Sequence, residues 1–362
     1  MPLMVKLNEI IEWASPVLIS PRKMSLTISL SRRFFVFELM RRAVKAIEDD
    51  PYLNFISLLK NYKVLGKFLS GTIGEFHRDR DDLYFRNFFI DKGLYGLVKQ
   101  DIEWLAPQHG HLRVTITKRG LLIYDNYKKN QFNVLLITSH SGTWVPAYAE
   151  KKLAMDKAQR YREEDIDSHR LYSRLVLDKA GIWIDNKKSR FACDVNRTHD
   201  KSIYRDGQEK WAAQIWKQQL TEKEQDEIRK SHNEFYFTLA QLTDTYRFNI
   251  IFDGHTMSDA PERPALSFGT NYIPKFYMPI VKSMKAHLAK LGYSPVAFDT
   301  PYYGGHILEW LQKRTPDLFI CSMEINKKLY MSPDRSSVIA EKRDKVAQDL
   351  AKMFDIQPDD AT

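Results

Sequence analysis

Three apolar runs in this chain end on residues that can bind a metal or move a proton. VLLITSH closes on His140, NIIFDGH on His255 and LFICSME on Glu324. A lone histidine after a strand is most often structural. Two histidines and a glutamate, each at a strand end, point to one shared site, because functional groups in open α/β sheets gather just beyond the carboxyl ends of the strands. Two neutral imidazoles and a carboxylate, with a fourth position open to water, are a common way to hold catalytic zinc. A nearby carboxylate then shuttles the proton of water that the metal has made more acidic. One Zn2+ per chain is the expected cofactor.

The elements that must position these residues change character along the chain. The first third reads as helical: Phe34, Phe37, Met40, Ala43, Val44 and Ile47 recur at steps of three and four, which gives one apolar face. Asp50-Pro51 breaks that pattern, and Leu53 to Leu69 and Leu83 to Leu105 carry similar ones. From Leu112 the period becomes two. LRVTIT, the turn KRG and LLIYDNY predict a hairpin with Gly120 at its permissive position. Asn133 to Thr138 is a buried strand, followed by a charged helix from about Glu150 to Ala180, a short strand near Ile182 to Ile184 and the apolar stretch FACDV. A long polar helix over Lys210 to Tyr246 precedes the strand of FNIIFDGH. Strands alternating with helices predict a mixed or mostly parallel sheet covered on both faces. The chain divides at a boundary marked by Pro107 and QHGH, into a mainly helical region, 1–110, and an α/β domain, 111–362.

Composition excludes several classes. Among 362 residues, 43% are hydrophobic and 12% aromatic, enough for a substantial core and against global disorder. The two cysteines, Cys193 and Cys321, form no CxxC pair and sit in apolar stretches, so buried thiols are expected rather than a cysteine zinc site or a disulfide framework. A net charge of +9 favours anionic partners, but Lys and Arg are scattered and no nucleic-acid motif has recognisable spacing. No stretch approaches the ~20 apolar residues that span a bilayer, and the N-terminus lacks the form of a signal peptide, so a cytoplasmic protein without membrane contact is the expectation.

Seven pieces in order, SHSGTWVP, the EED stretch before LY, DVNR, SHNEF, FDGHTMSDAPERPALSFGT, YYGGHI and SMEINKKLYM, resemble the N-formylglutamate amidohydrolase family. They cover roughly Asn133 to Met331. The resemblance implies a three-layer α/β fold similar to that of zinc carboxypeptidases and the aspartoacylase group. It also implies hydrolysis of the amide bond of a small N-acyl, possibly N-formyl, amino acid or related carboxylate substrate.

Carried over by residue, the resemblance makes His140 and His255 metal ligands and Glu324 the general acid/base. The zinc-carboxypeptidase relatives take a glutamate three residues after the first histidine, where this chain has Thr143. The amidohydrolase family has instead an acidic position before its LY pair, and Asp165 stands there, with Glu164, Asp167 and His169 as alternatives. Asn196 and Arg197 match the family's carboxylate-binding pair, since a guanidinium can grip a carboxylate in two parallel hydrogen bonds. His232 is expected to orient substrate or packing, Gly304 and Gly305 to let backbone approach a ligand, His306 to contact substrate or lie at the rim, and Asp253 to bond a ligand histidine. Two other readings stay open: a carboxypeptidase-like enzyme, and a non-catalytic binding protein on a hydrolase scaffold.

Overall fold

The computed structural model describes residues 17–20, 25–26, 91–105, 112–117, 119–126, 134–177, 181–207 and 214–353. The helices expected over Phe34 to Ile47 and Leu53 to Leu69 lie outside these residues. From the first third, the described residues include two short strands, β1 (Val17–Ser20) and β2 (Ser25–Leu26), and one helix, α1 (Lys92–Leu105).

One sheet organises the described chain. β3 (Leu112–Ile116) and β4 (Leu121–Asn126) form the expected hairpin, with Gly120 at φ +85°. The remaining strands are β5 (Val134–Thr138), β6 (Gly181–Asn186), β7 (Ile250–Met257), β8 (Leu266–Gly269), β9 (Val296–Phe298) and β10 (Phe319–Asn326). Their order is β2-β1-β3-β4-β6-β5-β7-β10-β8-β9, and the four central strands, β6-β5-β7-β10, run parallel. Antiparallel strands flank them on both sides. This is the mixed α/β sheet that the pattern predicted.

Alternate strand residues feed two separate cores, as the two-residue period of a strand requires. Leu136, Phe252 and Cys321 face one core, and Leu135, Ile137, Ile251 and Ile320 face the other. On the first face lies α1, whose Leu94, Val98, Ile102 and Leu105 recur at helical spacing and pack in the same core as Val114 and Tyr124. That helix precedes the boundary expected at residue 110 and is nonetheless built into the sheet domain. α7 (Met278–Lys290) and α9 (Ala340–Lys352) add Val281, Leu288, Val346 and Leu350 to this face. The second face is covered by α6 (Glu222–Thr245) and α8 (His306–Arg314) through Phe235, Leu239, Ile307 and Leu311. Three layers result.

Two expectations need correction. The helix placed over Glu150 to Ala180 is four short pieces: α2 (Ala147–Glu150), α3 (Lys157–Glu163), α4 (Ser168–Tyr172) and α5 (Arg174–Leu177). Asp156 opens α3 with a reciprocal capping box to Gln159. Glu164 then turns to extended backbone and Asp167 adopts the left-handed region at φ +58°, which ends helical continuity between them. The long polar helix begins at Glu222, where Thr221 caps it, not at Lys210. Both cysteines are free and buried, and burial pushes the Cys193 thiol up to about 12.

Candidate metal centre

His140 stands in the turn after β5, and its place is set from below. Thr138 Oγ1 donates to Asp185 Oδ1 at 2.8 Å while accepting from Trp183 Nε1 at 2.8 Å, and Ser141 also donates to Asp185. Gly142 passes so close to Lys187 that a Cβ would lie 2.0 Å from that residue's backbone. β7 carries Asp253 and His255 two residues apart, hence on one face. The parallel register pairs Glu324 of β10 with His255, so the two side chains stand beside each other on that face. Gly254 lies between, against the ring of Tyr172, whose hydroxyl donates to the His255 and Met323 carbonyls at 2.9 and 2.8 Å.

The interruption between α3 and α4 delivers the third group. One ligand atom from each of His140, Asp165 and His255 lies within 4.8 Å of the others, and all three residues are buried. Asp165 Oδ2 is 3.0 Å from His255 Nδ1 and 3.8 Å from His140 Nδ1. The opposite ring nitrogens face carboxylates: His140 Nε2 is 2.7 Å from Asp194 Oδ1, and His255 Nε2 is 2.8 Å from Asp253 Oδ2. Carboxylates behind both imidazoles fix ring orientation and raise basicity, as they do around protein metals. His140 Nδ1 and Asp165 Oδ1 are buried without hydrogen-bond partners among the described residues. Unpartnered buried polar atoms are costly, and two of them in a nitrogen–nitrogen–oxygen set fit a divalent cation such as zinc.

The charges agree with the geometry. Burial alone would depress His255, but Asp253 and the hydrogen bonds to Asp165 and Asp253 raise it well above the ordinary histidine value. Burial would raise Asp194, yet His140 and Arg190 hold it well below the usual carboxylate range. Burial pushes Glu324 up to about 7 against the pull of His255, and Glu324 Oε2 has no hydrogen-bond partner among the described residues. A carboxyl poised near neutrality suits proton transfer in either direction.

The alternatives for the third group are committed elsewhere. Glu164 accepts from Ser189 Oγ at 2.5 Å and pairs with Arg160 at 3.2 Å. Asp167 pairs with Arg343 at 2.9 Å, and His169 with Asp101 at 3.1 Å. Thr143 gives its carbonyl to Arg160.

An open cleft lies over the cluster, and Gly304, Gly305, Asn196 and Arg197 line it with Glu324. A Cβ on Gly305 would strike the Asn196 amide at 2.2 Å. Asn196 Oδ1 accepts from the Ile307 amide at 3.0 Å, and its Nδ2 approaches His255 Nε2 at 3.5 Å. Arg197 leans on Asp194, with Nε 3.5 Å from Oδ2, and its guanidinium lies 4.4 Å from the Tyr204 ring centroid. His232 does not line the cleft. It donates to the Arg197 carbonyl at 2.8 Å and so supports the DVNR loop from beneath. His306 also stands outside, 3.4 Å from Glu309. Arg190, Arg263 and Tyr302 line the cleft without having been marked by sequence, since no strand end or spacing signals them.

With the cluster and cleft in place, the chain can be set beside known proteins. The family model for N-formylglutamate amidohydrolase matches residues 132–331, more than half of the chain. The chain belongs to that family. The solved N-formylglutamate amidohydrolase from Ralstonia eutropha JMP134 is similar in fold at a TM-score of 0.52 and 16% identity, covering 65% of this chain and 95% of that one. A gene product, Atu2144, from Agrobacterium tumefaciens aligns at 0.51 and 14% identity, covering 66% and 92%. No curated protein matches the chain significantly. Family membership makes the protein an amidohydrolase, and no described helix is long and apolar enough to cross a membrane.

Proposed function

We propose that the protein is a zinc-dependent hydrolase of the amide bond in a small N-acyl amino acid or related carboxylate substrate. The observation that carries this reading is the convergence of His140, Asp165 and His255 beside Glu324. A zinc ion held by these three side chains would supply Lewis acidity, polarising the amide carbonyl and acidifying water. Glu324 takes the proton of the attacking water and hands it to the departing amine, so that one carboxyl acts as base and then as acid. Asp194 and Asp253 hold His140 and His255 in the tautomer and orientation the ligand role needs. The cleft's guanidinium groups attract a substrate carboxylate, which orients the amide toward Glu324.

The test is hydrolysis of a panel of formyl-, acetyl- and peptidyl-amino acids by zinc-loaded protein. Cleavage of the acyl amino acids with loss of activity in Glu324→Gln supports the proposal. Preference for peptides over all acyl amino acids would favour the carboxypeptidase-like alternative, and zinc binding without any turnover would favour the non-catalytic one.

A further inference from the structure

The cleft holds three arginines, but they are not equivalent. Arg190 and Arg197 both lean on Asp194, at 3.3 and 3.5 Å, and both sit against Tyr204. Asp194 is 1% exposed and bonds His140, so this pair of cations compensates a buried carboxylate behind a ligand histidine. Arg263 is different. Among the described residues it has no ion pair and no side-chain hydrogen bond, and its guanidinium lies 5.6 Å from the ring centroid of Tyr302, which is 45% exposed. Glu163 also lines the cleft and has no ion pair among the described residues, but the buried ammonium of Lys327 sits in the field of Asp165, Glu163 and Glu164 and offsets that side of the wall. An unpaired guanidinium stacked on an aromatic ring keeps its planar fork of donors available for a carboxylate.

We infer that Arg263, backed by Tyr302, is the residue that grips the substrate carboxylate, and that Arg197 acts as a positioning residue for Asp194 and His140. The inference rests on the proposed acyl amino acid substrate and alters which residue selects it. Arg197 already has part of its guanidinium engaged by the buried Asp194, so a substrate carboxylate would share that cation with a second carboxylate. Arg263 is not shared in this way among the described residues.

Binding to the zinc-loaded protein tests this without relying on turnover. Two probes, N-acetylalanine and N-acetylalanine amide, differ in that a neutral carboxamide replaces the carboxylate, and calorimetry compares them on wild type, Arg263→Gln, Arg263→Lys and Arg197→Gln. The wild type should bind the acid about tenfold or more tightly than the amide, the scale of a charge-assisted bidentate contact. Arg263→Gln should abolish that preference, Arg263→Lys should restore part of it, and Arg197→Gln should retain it while lowering zinc affinity. In turnover, Arg263→Gln should raise KM far more than it lowers kcat. A full acid preference in Arg263→Gln, its loss in Arg197→Gln, or no preference in the wild type would overturn the inference. Acid preference through Arg263 without hydrolysis of any substrate would instead overturn the proposed activity and leave this assignment standing.

Discussion

Glu324 and His255 occupy paired positions on neighbouring parallel strands, so substitutions there separate proton transfer from metal holding. Glu324→Gln keeps shape and removes the basic carboxylate. Turnover should fall by ~10²–10⁴, the usual worth of general acid–base help, while zinc content measured on the same sample stays at wild-type level. Because burial pushes this carboxyl up to about 7, its ionised, basic form is gained as pH rises. Activity should therefore climb with pH on an acid limb at or below 7, shifted down by any neighbouring dication, and the glutamine variant should lose that limb. Asp165→Ala should weaken zinc binding ~10-fold or more in a competition assay. Unchanged affinity would take Asp165 out of the ligand set. At this scale the sequence is legible where a residue ends an apolar strand, as at His140, His255 and Glu324. It is less so at Asp165, where four polar residues stand within one short stretch and only their side-chain partners distinguish them. Asp194 behind His140, and an Arg263 with no ion pair among the described residues, depend on how distant segments are brought together, which spacing does not encode.

Among the elements, β7 and β10 act as one mount. Tyr172 ties their carbonyls together across Gly254, where a Cβ would lie 2.4 Å from the tyrosine ring. Gly254→Ala should therefore destabilise by about 1–3 kcal/mol through overpacking, read as a lower denaturation midpoint with an unchanged slope. A wild-type midpoint would show that the ring moves aside freely. The strands were readable because alternation and apolar runs report burial directly. The segment from Glu150 to Ala180 was not, since its charged composition suits one helix. Helix-ending geometry at Glu164 and the left-handed Asp167 coincides with tertiary pairing, Glu164 with Ser189 and Asp167 with Arg343. That interruption is what brings Asp165 inward.

Across the whole molecule, the family-matched residues 132–331 do not stand alone. α1 lies outside them, yet its Asp101 bonds Lys187 and His169, and Lys187 in turn pairs with Asp185 beneath the His140 turn. Burial would raise the Asp101 carboxyl, but Lys187 and His169 overcome it and hold Asp101 below the ordinary range. Its ionised form thus adds stability above the unfolded value of ~4, and that stability drains as pH falls toward the lower folded value. Asp101→Asn should cost on the order of 3 kcal/mol at neutral pH by leaving Lys187 short of a partner, and less as the solution is acidified. A variant with wild-type Tm at pH 7 would mean that α1 docks by its apolar face alone. Metal dependence of the amidohydrolase is tested by following wild-type hydrolysis of an N-acyl amino acid before chelation, after it, and on zinc re-addition, with metal per chain measured at each stage. Activity should disappear with the metal and return with one zinc per chain. Full turnover in protein stripped of metal would contradict metal dependence.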